Sequence, residues 1–274
     1  MNPRPLRRRP PCQADFPAVK FAYLASADGV DENLLVLFHG LGDNPANFLS
    51  FGAKMQLPQT ALLAIRGPSP IPYFDDGTGW FPAFDQLGEE ISWSSPQAST
   101  GVQNTRKLLV EFFRACLIEK SPGSGIGWPP GQIFLLGFAQ GGTIALDLAL
   151  WGDLDAPGPG PAPILCGGVI SIAGGLFDAA SCVRASLPVE RRQLWALVTK
   201  DDSIDASVGL GTRQLSRLKS LLEDHVQVEV ISGKQGISMP NSHAEMSMIF
   251  QFLGAHLALR NLKLEAMSDV VQIN

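Results

Sequence analysis

Short apolar runs alternate with longer amphipathic stretches along most of the chain. Several of these runs are apolar throughout, which is typical of strands covered on both faces of a sheet. Seven runs predict strands: Val19–Leu24, Leu34–Phe38, Ala61–Ile65, Ile133–Phe138, Gly168–Ile172, Leu194–Val198 and Val226–Ile231. Five stretches between them predict helices: Ala46–Met55, Ser99–Glu119, Gly141–Trp151, Leu210–Asp224 and His243–Leu259. This alternation predicts an α/β fold, with a mostly parallel central sheet and helices on both faces.

The ends of the chain differ from its middle. We expect one domain over residues 17–259, because strands continue on both sides of every breaker-rich segment. Residues 1–16 carry Arg7–Arg9 among prolines and predict a disordered tail, and the polar residues 260–274 predict a loose one. The Pro- and Gly-rich segment 153–163 predicts a surface loop within the domain.

Composition narrows the class of protein. Hydrophobic residues make up 45% and charged residues 17% of the 274 positions, which is typical of a chain with a large core. The net charge of −5 gives no reason to expect a nucleic-acid partner. No apolar stretch reaches the about 18 residues of a membrane span, and no apolar run follows the N-terminal arginines as in a secretory signal.

The cysteines and histidines carry no recognisable metal spacing. Four scattered cysteines indicate free thiols in a reducing compartment, so we expect a cytoplasmic location, with the nucleus as the alternative. Only four histidines exist and none pairs at ligand spacing, so no metal site is predicted. No G-x-G-x-x-G follows the first strand, so we expect no dinucleotide or other cofactor.

The most informative segment joins the strand Ile133–Phe138 to the following helix. The turn Gly137–Gly141 has the pattern G-x-A-x-G, in the strand–turn–helix context where the nucleophile elbow of α/β-hydrolases has G-x-S-x-G. The central residue of such an elbow is strained, and its neighbours two positions away must lack side chains so that strand and helix can approach. Glycines between a strand and a helix also occur as plain packing turns. The elbow interpretation therefore depends on the rest of the chain.

A second buried strand, Leu34–Phe38, ends in the loop His39–Gly42. In α/β-hydrolases the loop after this strand supplies one oxyanion N–H, and the residue after the nucleophile supplies the other. By position these donors are the backbone amides of Leu41 and Gln140. The side chain of His39 is interpreted as a polar core residue that holds the loop.

The later segments supply an acid and a base. Asp201 and Asp202 follow a late strand, and His243 follows the last strand and opens the last helix. Taken singly, these residues are typical of a turn and of an exposed helix start. Together the segments run in the order oxyanion loop, elbow, Asp, His, which is the order of the α/β-hydrolases.

Three blocks resemble one family within that fold. The runs FHGLGD at Phe38–Asp43, GFAQGG at Gly137–Gly142 and the pair Ser242–His243 are similar to the phospholipase/carboxylesterase family, which includes acyl-protein thioesterases and bacterial carboxylesterases. There the first two blocks read HGLGD and GFSQGG. The resemblance covers the chain from about residue 33 to about residue 255.

The resemblance implies hydrolysis of a small carboxylic ester or acyl thioester. It assigns the nucleophile position to Ala139, the base to His243, the orienting acid to Asp202 and the oxyanion amides to Leu41 and Gln140. Trp80 and Phe81 resemble the Trp-(Phe/Tyr) segment that lines the family's acyl site. Val198 and Thr199 stand where the family has His-Gly before the acid, so Asp201 remains an alternative to Asp202. The resemblance also allows a homodimer.

Alanine at position 139 conflicts with serine-hydrolase chemistry. A methyl group cannot attack a carbonyl, and loss of a triad nucleophile removes on the order of 10⁶ in turnover. The alanine is either a serine-to-alanine change introduced at the site, or a natural loss in a binding protein on the same fold. A nucleophile elsewhere, at Ser171 or Ser242, is the remaining alternative, although neither lies on an elbow.

Overall fold

The computed structural model describes residues 7–121, 125–152, 166–177, 195–201, 211–231 and 237–265, with residues 200 and 201 described by their backbone only. The strands are β1 Phe21–Leu24, β2 Asn33–Phe38, β3 Thr60–Ile65, β4 Ser69–Ile71, β5 Phe74–Gly79, β6 Ile133–Phe138, β7 Gly168–Ile172, β8 Ala196–Asp201 and β9 Val226–Ile231. The helices are α1 Pro45–Lys54, α2 Pro96–Phe112, α3 Gln140–Trp151, α4 Thr212–Leu222, α5 His243–His256 and α6 Leu262–Glu265.

Seven of these strands form one central sheet in the order β1-β3-β2-β6-β7-β8-β9. Strand β1 is antiparallel to β3, and every other pair in this sheet is parallel. Because parallel strands end at the same edge, the segments after β2, β6, β7, β8 and β9 meet at one edge of the sheet. Open α/β sheets place their binding sites at that edge.

Helices cover both faces of the sheet. Alternate residues of β2 belong to different core clusters, with Val36 and Phe38 on one face and Leu35 and Leu37 on the other. Buried residues of α2, α3 and α4 complete the first cluster, and those of α1 and α5 complete the second. The predicted α/β class, with its mostly parallel sheet, is therefore confirmed.

Some element boundaries differ from the predictions. Helix α2 begins at Pro96, earlier than predicted, because the Ser95 hydroxyl accepts a hydrogen bond from the Ala98 amide (3.1 Å) and proline suits the first helical position. It passes into one π turn over Phe113–Leu117. The two-stranded hairpin β4–β5 was not predicted at all. None of the helices in the described segments is both long and apolar enough to cross a membrane.

The N-terminal segment from residue 7 packs against the domain, whereas the sequence predicted a disordered tail as far as residue 16. The Arg8 side chain is buried, with its Nη1 atom 3.2 Å from the Glu119 carboxylate, and the ring of Phe16 packs against Phe112. Arg260 also contacts the domain, since its amide donates to the Gln59 side chain (2.8 Å). Residues 1–6, the predicted loop 153–163 and residues 266–274 lie outside the described residues.

Candidate active site

The turn between β6 and α3 holds Ala139 in a backbone conformation that alanine rarely adopts. Its φ is 50° and its ψ is −116°. The Ala139 amide donates to the Ile172 carbonyl at the end of β7 (2.9 Å), and its carbonyl accepts from the Thr143 amide in the first turn of α3 (3.0 Å). Neighbouring elements therefore fix a strained residue from both sides, as they do at functional turns.

Two glycines flank this residue because the backbones around it leave no room for a Cβ. A Cβ on Gly137 would collide with the Gly141 carbonyl, and a Cβ on Gly141 would collide with the carbonyl oxygens of Phe38 and His39. The glycine spacing therefore brings the turn into contact with the end of β2. This is the physical requirement on which the elbow interpretation of the sequence rests.

The loop after β2 is held by His39, which is fully buried. Its Nε2 atom accepts a hydrogen bond from the Gly67 amide (2.9 Å), so the proton lies on Nδ1, which is 2.7 Å from the Gly40 carbonyl and donates to it. Burial lowers the pKa of His39, and the Gly40 bond offsets part of that effect. The neutral imidazole therefore connects the loop after β2 to Gly67, which follows β3.

The two predicted oxyanion donors are backbone amides in different segments: Leu41 lies in the loop after β2, and Gln140 follows Ala139. Gln140 is the first residue of α3, so its amide has no partner within the helix. Within the part of the chain that the structure describes, neither the Leu41 amide nor the Gln140 amide donates to any acceptor. Their role as oxyanion donors stays a prediction.

The side chain of Gln140 ties the turn to the segment after β5. Its Oε1 atom accepts from the Trp80 amide (2.9 Å), and its Nε2 atom donates to the Phe81 carbonyl (3.4 Å). The Trp80 indole in turn donates to the His39 carbonyl (2.7 Å). Three segments distant in sequence are thus joined by hydrogen bonds around Ala139, and no local pattern indicated this role for the glutamine side chain.

Trp80 and Phe81, predicted to line an acyl site, are both buried in the core. Phe81 packs edge-on against Trp93 (5.2 Å between ring centroids) and against Phe177 (5.9 Å). Trp93 and Phe177 are only half-buried, and sequence reasoning missed both of them. Aromatic contacts to Phe81 could not be read from local sequence, because Phe177 follows it by almost one hundred residues.

His243 is exposed at the first position of α5, after β9. The adjacent capping box fixes the start of this helix: the Ser242 hydroxyl accepts from the Glu245 amide (3.2 Å), and the Glu245 carboxylate accepts from the Ser242 amide (3.0 Å). The His243 ring forms no hydrogen bond with any described group. Asp202 lies outside the described residues, and Asp201 is the last residue of β8, so the acid stays a prediction.

The two alternative nucleophiles occupy unsuitable positions. Ser171 is fully buried in β7, and its hydroxyl finds no hydrogen-bond partner among the described residues. The Ser242 hydroxyl donates to Glu245 (2.8 Å) and caps α5. A buried hydroxyl cannot reach a substrate and a capping hydroxyl is already engaged, so the geometry gives neither serine the exposure of an elbow residue.

Two curated proteins are similar to part of this chain. An uncharacterized hydrolase of Mycosarcoma maydis is 34% identical over 60% of this chain and 57% of its own length. An uncharacterized hydrolase of Schizosaccharomyces pombe is 30% identical over 42% of this chain and 44% of its own length. The chain thus spans about half the length of the curated relatives it matches.

The fold also matches solved structures. Acyl-protein thioesterase 2 of Zea mays superimposes with a TM-score of 0.64 over 87% of this chain and 99% of that chain, at 20% identity. At that identity the likeness concerns the fold. The phospholipase/carboxylesterase family model matches residues 20–257, from β1 to the end of α5. The chain therefore belongs to the phospholipase/carboxylesterase family of α/β-hydrolases.

Proposed function

We propose that the chain binds a small carboxylic ester or acyl thioester at the Ala139 turn, and that it hydrolyses this ligand only when position 139 carries a serine. The observation that carries the proposal is the conformation of Ala139, which is strained at φ 50° and fixed by bonds to β7 and α3. This conformation supports an elbow at position 139 that lacks only the hydroxyl. The protein as it stands is a binding protein on a hydrolase scaffold.

Two unengaged amides support binding of a carbonyl group. The N–H groups of Leu41 and Gln140 have no acceptor among the described residues, and an ester carbonyl oxygen would satisfy both. Donors of this kind act on the ligand even when no nucleophile is present. In serine enzymes that have lost the catalytic triad, the oxyanion hole and substrate binding still accelerate the reaction about 10³–10⁴-fold over the uncatalysed reaction in water.

With serine at position 139, the expected reaction is acyl transfer to its hydroxyl. His243 takes the serine proton as the oxygen attacks the carbonyl carbon, and the amides of Leu41 and Gln140 stabilise the oxyanion. His243 then protonates the departing alcohol or thiol. Water attacks the acyl-serine by the same route and releases the acid. Asp202, with Asp201 as the alternative, orients the imidazole.

The test restores the single missing oxygen atom. The Ala139→Ser protein is incubated with a fluorophosphonate probe and with short p-nitrophenyl esters, beside the unchanged chain. We expect labelling and turnover in the serine form only, with a difference on the order of 10²–10⁶ in kcat. The matched control is Ala139→Ser combined with His243→Ala, which keeps the serine and loses its base. A serine form that neither labels nor turns over would refute the hydrolase part of the proposal.

Binding by the unchanged chain is measured separately. Short acyl esters and thioesters are titrated while the midpoint of thermal unfolding is followed, because a ligand of the native state raises that midpoint. The Ala139 chain should show this rise without consuming the ligand. If the serine form is active but the Ala139 chain binds no acyl ligand, the alanine marks the loss of an enzymatic activity. The binding part of the proposal is then wrong.

A further inference from the structure

The turn of the β4–β5 hairpin carries a tyrosine where the backbone favours glycine. Ile71 pairs with Phe74, so Pro72 and Tyr73 form the two-residue turn. Tyr73 has a φ of 60° and is 88% exposed. A positive φ at the position after proline is the signature of a turn that prefers glycine or asparagine there. Because residues held in sparsely populated conformations cluster at functional sites, this exposed aromatic ring is a candidate contact for a partner.

Three further exposed apolar side chains belong to this hairpin and to the two segments beside it. The Tyr73 hydroxyl donates to the Gln86 carbonyl (3.3 Å), which brings it beside Leu87, itself 81% exposed. The Phe74 ring lies against Gly77 and near Gly42, which follows Leu41 in the chain. We call Leu41, Tyr73, Phe74 and Leu87 the lip. All four are among the exposed large hydrophobic residues of the described chain.

The lip borders the candidate active site directly. The Gly42 amide donates to the Thr78 carbonyl (3.0 Å), and the Thr78 amide donates to the Asp43 carbonyl (3.2 Å). The hairpin is thus bonded to the loop that carries the Leu41 amide. A ligand bound on the lip would therefore lie close to the Leu41 amide, one of the two predicted oxyanion donors.

The chain segment that carries the hairpin and Leu87 is acidic. Residues 66–90 contain five acids and one base, Arg66, whose guanidinium donates to the Asp75 backbone carbonyl (3.3 Å). The five carboxylates are exposed, and none forms an ion pair with another described residue: Asp75, Asp76, Asp85, Glu89 and Glu90. Carboxylates without counter-charges around an apolar centre are complementary to a positively charged partner.

We propose that the lip binds a cationic, extended polypeptide segment that alternates basic and apolar residues. The apolar side chains would cover Tyr73 and Leu87, and lysine or arginine groups would face the acidic fringe and the aromatic rings. An anionic membrane surface is disfavoured because the same carboxylates repel it. That such a segment presents an acyl group to Ala139 rests on the proposed function, whereas binding on the lip does not.

The test measures binding to the unchanged chain, so it requires no turnover. A fluorescent peptide with alternating lysine and leucine is titrated by anisotropy, beside a peptide with glutamate in place of lysine. We expect the lysine peptide to bind at least about tenfold more tightly. Its affinity should fall further as ionic strength rises from about 0.05 M to about 0.3 M, because exposed charges are screened.

Two variants locate the binding. Tyr73→Gly removes the aromatic ring and relieves the turn, so peptide affinity should fall about tenfold while the midpoint of thermal unfolding stays equal or rises. The pair Asp75→Asn and Asp76→Asn should weaken binding and flatten its salt dependence. Leu259→Gly and Asp224→Asn, exposed positions elsewhere on the chain, serve as matched controls and should leave binding unchanged.

Three outcomes would overturn the proposal. These are equal binding of the lysine and glutamate peptides, undiminished binding to Tyr73→Gly, and co-sedimentation of the protein with phosphatidylserine vesicles without any peptide binding. None of them depends on Ala139→Ser activity, so loss of the lip proposal and loss of the proposed function give different results. If the lysine peptide binds the lip but the Ala139→Ser protein is inactive, the lip proposal is supported. Only the hydrolase part of the proposed function is then refuted.

Discussion

Replacing Ala139 by glycine should stabilise the protein, which is unusual for an alanine-to-glycine change. A non-glycine residue in a sparsely populated backbone region costs about 1–3 kcal/mol, and glycine removes most of that strain. Two effects oppose this gain in the free energy of unfolding. Glycine has greater freedom in the unfolded chain, which costs about 0.4–1 kcal/mol, and the loss of one half-buried methyl group costs less than about 0.8 kcal/mol. We therefore expect a net gain of about 1 kcal/mol in the free energy of unfolding.

The measurement is urea unfolding of the two proteins, with thermal unfolding in parallel. For a chain of this size, a gain of about 1 kcal/mol corresponds to about 2 °C in the midpoint. Ala173, which follows β7 with a φ of 51°, should respond to glycine in the same way. Ala53, exposed in α1, has helical geometry, so its change to glycine should destabilise by about 1 kcal/mol. If Ala139→Gly destabilises as much as Ala53→Gly, the turn is not strained and Ala139 does not occupy an elbow.

Three further predictions concern buried polar groups. Because burial lowers the pKa of His39, its contribution to stability is complete above the unfolded pKa of about 6.5 and is lost as the pH falls below that value. Between about pH 7 and about pH 5, the free energy of unfolding should therefore fall less steeply in His39→Gln than in the unchanged chain. Arg106→Met leaves the buried Asp147 carboxylate without its 3.0 Å ion pair and should reduce the free energy of urea unfolding by about 3–5 kcal/mol; unchanged stability would contradict this. Ser171→Ala removes a buried hydroxyl without a partner among the described residues and should raise the free energy of urea unfolding by about 1 kcal/mol, whereas a loss would indicate a bound water.

The central sheet was predictable because its strands are covered on both faces. Strands such as β2, β3 and β6 bury every position or nearly every position, so they appear in the sequence as continuous apolar runs. The turn at Ala139 was predictable for a related reason. Its two glycines are required by backbone contacts within a few residues and with the end of one strand, and such a requirement leaves a local pattern.

Features that depend on distant partners left no such pattern. Strands β4 and β5 contain proline, aspartate and glycine, and the hairpin is held partly by bonds between Thr78 and the loop at Asp43. The buried position of Arg8 depends on Glu119, which lies 111 residues later. A basic run beside prolines looks like a free tail until that carboxylate is placed. The half-buried ring of Trp93 was missed for the same reason, since its partner Phe81 contributes no local signal.

The strained backbone of Ala139 and the two unengaged amides beside it support the proposed binding site. The Gln140 amide is at the start of α3, where the helix itself offers no acceptor, and the Leu41 amide lies in the loop after β2. Here the Gln140 and Leu41 amides have no acceptor in the described chain. A carbonyl oxygen of a ligand would complete both bonds whether or not a hydroxyl stands at position 139. The missing oxygen atom should therefore remove turnover and leave affinity, so the unchanged chain and the Ala139→Ser protein should bind an unreactive acyl ligand with dissociation constants that agree within a few-fold.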